Sequence, residues 1–444
     1  MLNLIKEYKM MKAFKIFSMA AVAFMMVACS SEDEALDNTP VAGRKVHFTA
    51  TIAAPGSDAS TRTTYTEVTS GTDAGKIKVA WEQGDEIALI HNGTKDVVTV
   101  QTLNADGSAN ISGDITVGTD GEAVTIVYPA ASVDAPTSGA EPVDNATYAA
   151  KWNSQDGTLT YIQDYLDFCR ATSTLKVSGT NATLNDNISM ESTIAIFKFT
   201  IQDLGGTDKT ATEFKVSDAS GNVIATVTPG SATGTLYVAL PVMAAGTYWF
   251  NATIDTKAYV AKATTTTTTT AGTYYQSTVK MATIGDVILE DGTFAARSST
   301  TGMIVAMIAY LGSETGVVGY THGLALALTD KGQMSWTDAT GASGAAAHTP
   351  AAPTTTSSWM LPSKDQWNKM IDACKNVLGT QNNYQDLRDG FSGISGASNL
   401  RSDYYWSSTE YGSSRAWLYY FGDGSWRLAS KGIGYIRVCA CLAF

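Results

Sequence analysis

Tyr404-Tyr405-Trp406-Ser407-Ser408-Thr409-Glu410, followed by Ala416-Trp417-Leu418-Tyr419-Tyr420-Phe421-Gly422-Asp423-Gly424-Ser425-Trp426, decides how the C-terminal third folds. Between residues 416 and 421, Trp417, Tyr419 and Phe421 alternate with Leu418 and Tyr420, the period of two that a strand imposes on its faces. Gly422-Asp423-Gly424 supplies a turn, and Trp426 opens the next strand. One alternating set must be core and the other must meet solvent or ligand. We assign Trp417 and Phe421 to the core. Tyr420 and Arg427 are open to ligand contact or to packing.

Immediately upstream lies one clear helix. Ser363 with Gln366 three residues on makes a capping box. Trp367, Met370, Ile371, Cys374, Val377 and Leu378 follow helical spacing, and Gly379 supplies the stop. A helix combined with aromatic strands makes this region α+β.

The remainder reads as strands. Residues 47–52, 76–80, 87–90 and 97–101 form one group, and 195–201, 213–216, 223–228, 234–240, 247–254 and 274–281 a second. Gly, Asp and Asn punctuate both. The prediction for residues 45–281 is a mainly β half of two tandem β-sandwich subdomains, divided near residues 180–190. Seven threonines at 264–270 read as an exposed edge or loop, and residues 337–358 as a low-complexity loop. A new domain begins near Ile284-Gly285-Asp286-Val287 and runs over 282–444.

Composition narrows the function. The 444 residues carry 30 Lys plus Arg against 42 Asp plus Glu, a formal charge of −12. Nucleic-acid phosphates require basic stripes, so DNA and RNA are excluded as partners. With 44% hydrophobic and 16% charged residues, the chain can build real cores.

The first 28 residues read as a signal peptide: Lys6, Lys9, Lys12 and Lys15 precede an apolar run too short to span a bilayer. Met10 or Met11 is the expected start. Ala28-Cys29 resembles a bacterial lipobox, which makes Cys29 the lipidated first mature residue; an ordinary secretion signal is the alternative. Ser30-Ser31-Glu32-Asp33-Glu34 resembles a surface-export signal, within a tether over residues 29–44. The implied location is the outer membrane, surface-exposed and held by acyl chains such as palmitate.

Arg62-Thr63-Thr64, Trp81-Glu82-Gln83-Gly84-Asp85-Glu86-Ile87, Tyr128-Pro129-Ala130, Leu240-Pro241 and Gly246-Thr247-Tyr248 resemble the fimbrillin family of type V pilins and minor fimbriae. That resemblance covers about residues 45–281. It implies cleavage after an Arg behind the first strand, for which Arg62 is the candidate, opening a groove for a partner subunit's strand. An uncut surface Arg is the other reading. From the residues alone, the Gly84-Asp85 turn between Trp81 and Ile87 is a folding brace.

Asp286-Val287, Asp291-Gly292-Thr293-Phe294, the His322-to-Leu328 string, Leu361-Pro362-Ser363, the Tyr405-to-Glu410 string, Ala416-Trp417 and Leu442-Ala443-Phe444 resemble the C-type-lectin-like domain of Lcl-type adhesins and of diversity-generating-retroelement variable proteins. The resemblance implies that Trp406, Trp417, Phe421, Gly424, Trp426 and Lys431 are scaffold. It implies that Tyr411, Ser413, Arg415, Leu418, Tyr420, Asp423, Ser425, Arg427 and Leu428 are ligand-binding display positions. Tyr, Arg and Ser in turns are also the residue set of adaptable binding surfaces.

Four cysteines besides Cys29 allow three full connectivities. A Cys374 to Cys441 disulfide, tying helix to last strand, is the preferred pair, with free buried thiols as the alternative. No metal-ligand spacing, P-loop, dinucleotide fingerprint or nucleophile elbow occurs, so no cofactor, metal or catalytic residue is expected. The leading expectation is therefore an adhesin whose partners are a host or bacterial surface ligand, protein or glycan, and other fimbrial subunits. Because the sequence ends within the lectin-like region, a fimbrial tip position is expected. The rival is a cell-envelope enzyme using the related formylglycine-generating-enzyme-like fold.

Overall fold

Trp81 shows how the first lobe is tied together. Its indole Nε1–H donates to the Ala53 carbonyl at 3.1 Å, and its ring meets Tyr128 edge-on at 5.7 Å. The turn behind it uses Gly84 at φ +94°, a conformation glycine adopts without penalty, while Asp85 accepts from the Glu82 N–H at 2.9 Å. The Tyr128 hydroxyl reaches Asp85 at 3.4 Å. The computed structural model describes residues 43–54, 65–68, 70, 76–78, 80–117 and 119–444.

Eight strands between Arg44–Ile52 and Glu191–Ser192 form the first sheet. Cys169–Ser178 pairs with both Ala123–Tyr128 and Asn181–Leu184, and the latter runs parallel to Arg44–Ile52. The sandwich expected here is thus a sheet that closes on itself. It encloses a core of Phe48, Ile87, Leu89, Val98, Ile111, Ile115, Ile126 and Leu175, all essentially inaccessible to water. Burial of that apolar surface is the dominant stabilising term.

The second sheet has seven strands from Ile194–Asp203 to Tyr274–Thr283. Lys257–Thr265 and Tyr274–Thr283 pair only at Tyr259 with Thr283 and Val260 with Ala282, so the sheet folds over at that seam. Phe199, Phe214 and Phe250 cluster between its layers at centroid distances of 5.3 to 5.8 Å. The threonine run is divided: Thr264 and Thr265 finish a strand, and a turn follows.

The C-terminal region has two five-stranded sheets and the expected helix. Helix Lys364–Cys374 starts at the Ser363/Gln366 capping box but ends earlier than its apolar spacing suggests, because Asn376 turns at φ +56°. Trp367, Met370 and Cys374 pack against Met307, Leu326 and Tyr405. The low-complexity segment is not an open loop. It contains helix Trp336–Thr340 and buries Ala345, Thr356 and Ser357, whose small side chains allow close backbone packing.

Candidate ligand-binding surface

Three antiparallel strands carry the predicted display positions: Tyr404–Glu410, Arg415–Tyr420 and Ser425–Ser430. Their register pairs Tyr404 with Tyr420, Trp406 with Leu418, Leu418 with Arg427, and Tyr420 with Ser425. Residues directly opposite one another share a face. One face therefore holds Tyr404, Trp406, Leu418, Tyr420, Ser425 and Arg427. The other holds Tyr405, Trp417, Tyr419, Trp426 and Leu428.

On the first face, the Tyr404 and Tyr420 rings stack at 4.4 Å with planes 24° apart. The Arg427 guanidinium lies 4.8 Å from the Tyr420 centroid and 5.7 Å from that of Tyr404, a double cation–π arrangement. Arg427 also forms an ion pair with Asp423 and donates to Ser425 Oγ at 3.2 Å. Ser425 Oγ in turn donates to Asp423 at 2.6 Å. The Ser425 hydroxyl, assisted by Arg427, holds the Asp423 carboxyl below the usual carboxylate range. The patch is pre-ordered while Asp423 and Arg427 stay exposed. Tyr404, which completes it, was absent from the sequence-predicted set.

Leu418 does not belong to that exposed set. It is 3% exposed and packs with Trp406, Ala416, Ile436 and Val438, so its placement as a display residue is corrected to core. Conversely, Trp417 is only half-buried: Lys364 Nζ sits 3.6 Å above its ring, and Tyr411 meets it edge-on at 5.6 Å. The core of this second face is made by Tyr405, Tyr419 and Phe421 against Trp367. Tyr411, Ser413 and Arg415 are exposed and Leu428 is half-buried. The nine positions thus divide between two faces and the two connecting turns rather than forming one patch.

Neighbouring residues hold these strands in place. Gly424, at φ +75°, lies against the Tyr384 ring, and a Cβ there would come within 2.3 Å of it. Lys431 bridges Glu410 at 3.1 Å and sits 4.5 Å over Trp336. Arg437, half-buried at the strand base, pairs with Asp403 at 2.9 Å and Asp330 at 3.2 Å, and the Tyr405 hydroxyl also reaches Asp330 at 3.2 Å. No sequence-local signal links those four residues.

The expected Cys374 to Cys441 bridge is not formed. Both are free, buried thiols, as are Cys169 and Cys439. Cys374 Sγ donates to the Ala309 carbonyl at 3.4 Å, whereas Cys441 exchanges backbone bonds with Met360 on the opposite edge of its strand. Burial pushes the thiols of Cys374, Cys439 and Cys441 well up. Among the described residues no group of three His, Cys, Asp or Glu side chains is placed to hold a metal ion, and no helix is long and apolar enough to cross a membrane. Cys29 and Arg62 lie outside the described residues.

No protein-family profile and no curated protein matches the chain. Among solved structures, it is similar to a fimbrial protein from Bacteroides ovatus, at 13% identity over 91% of this chain and 100% of that one, with a TM-score of 0.29. It is also similar to the tip fimbrial protein Mfa3 from Porphyromonas gingivalis with C-terminal truncation, at 9% identity over 54% and 99% of the two chains, TM-score 0.26. A fimbrial assembly protein from Parabacteroides distasonis matches at 13% identity over 53% and 90%, TM-score 0.26.

Proposed function

We propose that this chain is a surface adhesin: a fimbrillin-like β stalk, lipid-anchored in the outer membrane through Cys29, that presents a C-type-lectin-like ligand-binding domain over residues 282–444 as a fimbrial tip or a stand-alone receptor. The observation that carries this reading is the Tyr404, Tyr420 and Arg427 stack with its Asp423 and Ser425 supports. Aromatic and guanidinium groups held rigid at a surface offer large contact area at low entropic cost, which is how binding hot spots are built. Tyr411 and Ser413 on the adjoining turn and Arg415 at the start of the next strand extend the surface as positions open to diversification by a retroelement. The ligand is a protein or glycan on a host or bacterial surface, and other fimbrial subunits are the structural partners.

An envelope enzyme working through cysteine is the less favoured reading. Nucleophilic thiols need a depressed pKa and access, and Cys439 and Cys441 are inaccessible with pKa pushed upward.

The test is binding of a soluble form lacking residues 1–29 to bacterial and host cells and to a glycan array. The Tyr420→Ala/Arg427→Ala double variant should stay folded, with a melting temperature only modestly below wild type, and lose binding. Undiminished binding by a folded double variant would overturn the assignment. Cys29→Ser should release the full-length protein from membranes and abolish labelling by a palmitate analogue.

A further inference from the structure

A cavity of about 220 Å³, lined by no residue of the C-terminal strands, lies where the first sheet meets the second. Its aromatic walls are Tyr148, Trp152 and Phe168, and its polar lining includes Ser132, Asp144 and Arg170. Phe168 meets Trp152 at 5.8 Å and Tyr148 at 6.3 Å. All three rings are half-buried, so part of each faces the cavity or solvent.

The walls are fixed before anything binds. Asn145 caps the turn that carries Tyr148, accepting from the Thr147 and Tyr148 N–H groups at 3.0 and 3.3 Å. Gln155, three residues past Trp152 and 1% exposed, exchanges two side-chain bonds with the Ala239 backbone, at 2.9 and 3.0 Å. Thr193 donates its N–H to the Phe168 carbonyl at 2.9 Å.

Two features indicate what would fill the space. Ser132 is 4% exposed, and its Oγ has no hydrogen-bond partner among the described residues. A buried hydroxyl gains from a hydrogen-bond partner, and Ser132 Oγ is free to take one from a group entering the cavity. At the rim, Arg170 and Asp144 pair at 2.8 Å and remain solvent-accessible. Their charges cancel, so neither an anion nor a cation is drawn in, while a carboxylate and a planar guanidinium together offer acceptors and donors in fixed positions. The volume is below the roughly 300 Å³ of a drug-sized pocket.

We infer that this cavity binds a single neutral sugar ring, as the free monosaccharide unit or the end of a glycan. The apolar C–H edge of a pyranose suits the electron-rich faces of Trp152, Tyr148 and Phe168. Its hydroxyls would take the unpaired Ser132 hydroxyl and the Asp144 and Arg170 pair. The inference is independent of the C-terminal binding surface.

The probes are methyl pyranosides of glucose, galactose, mannose, N-acetylglucosamine and fucose, added to the soluble chain lacking residues 1–29. Saturation-transfer NMR and tryptophan fluorescence report contact. At least one glycoside should receive saturation at its ring protons and give a saturable fluorescence change. Trp152→Ala and Arg170→Ala should each weaken it by about tenfold or more. Trp152→Phe should retain part of it, and the same order of losses should appear in the Tyr420→Ala/Arg427→Ala background, in which the C-terminal surface contributes no binding of its own. Should Trp152→Ala unfold, the exposed Arg170→Ala substitution decides alone. The inference is overturned if no glycoside saturates, if a folded Arg170→Ala protein binds as wild type does, or if tetramethylammonium or acetate occupies the site in preference to every glycoside.

Discussion

Trp249 and His322 stack face to face, with centroids 3.8 Å apart and planes 17° apart. Trp249 belongs to the second sheet and His322 precedes strand Gly323–Ala327, so one ring pair joins the second sheet to the C-terminal region. Phe444 and Phe294 pack around the same Trp249. Burial and the neighbouring Lys262 ammonium disfavour charge on this imidazole and lower the His322 pKa from 6.5 to about 4.

The pH dependence follows from that sign. In the unfolded chain His322 takes up a proton near pH 6.5, whereas the folded state resists until about pH 4. Stability contributed by the neutral ring is therefore complete above pH 6.5 and is lost as pH falls toward 4, by about 3 kcal/mol. His322→Phe keeps the stack and removes the unpartnered Nε2. Melting curves from pH 7 to pH 4 should fall less steeply for this variant than for wild type.

Leu418 and Trp417 should exchange the roles that alternation alone suggests. Leu418→Ala should cost about 2–5 kcal/mol, because it empties a fully enclosed site. Trp417→Ala should cost less than a buried tryptophan does, since solvent and the Lys364 side chain replace much of its contact. Tyr420→Ala and Arg427→Ala should each cost about 1 kcal/mol or less. Thermal melts of the four variants order them directly.

That exchange marks where sequence reading stops. Period two tells which residues share a face, but not which face is covered, and parts of both faces are: Trp336 and Ala339 pack with Trp406 and Leu418 on one side, Trp367 and Met370 with Tyr405 and Tyr419 on the other. The capping box at Ser363 and the Gly84-Asp85 turn were legible because their partners are sequence neighbours, whereas the Trp81 contacts with Ala53 and Tyr128 are not local. Strand Cys169–Ser178 was not, because its burial does not alternate where it turns between two partners. The Tyr404 contribution to the surface stack, and the Arg437 network beneath, depend on pairings more than fifteen residues apart.

Free buried thiols have a direct chemical signature. A form of the chain starting at Gly43 holds Cys169, Cys374, Cys439 and Cys441, all inaccessible. Iodoacetamide should modify none of them in the native protein and all four in guanidinium, without a reductant. A Cys374 to Cys441 bridge would leave two unmodified under both conditions, and intact-mass measurement distinguishes the outcomes.

Glu67 anchors the short hairpin of Thr66–Glu67 and Ile77–Lys78 to the second sheet. Lys198 Nζ contacts both its oxygens at 2.7 and 2.8 Å, and the Tyr237 and Tyr274 hydroxyls donate to it. Burial alone would raise its pKa, but these hydrogen bonds outweigh it and the carboxyl sits below its ordinary 4.5. Its stabilisation is therefore present above pH 4.5 and is lost as pH falls below that value. Glu67→Gln should cost roughly 1–3 kcal/mol and speed amide exchange at residues 65–68 and 76–78.

Arg62 precedes this anchored hairpin, which gives proteolysis a specific expected outcome. Downstream of it, the Tyr65 hydroxyl donates to Asp167 at 2.7 Å and its N–H to Gln163 at 3.1 Å, so the new end created by a cut would stay docked. Upstream, strand Arg44–Ile52 is paired along its whole length with Ala109–Val117 and also, in parallel, with Asn181–Leu184. Val46, Phe48 and Ile52 are buried within the closed sheet. An arginine-specific protease should therefore cut after Arg62 without releasing the N-terminal fragment. The fragment should co-elute with the body in native buffer and separate only in denaturant. The Arg62→Ala variant should yield no such fragment. Immediate loss of the fragment in native buffer would mean that the ladder of this strand is too weak to hold it, and a wild-type chain resistant at Arg62 would remove this site as the processing point.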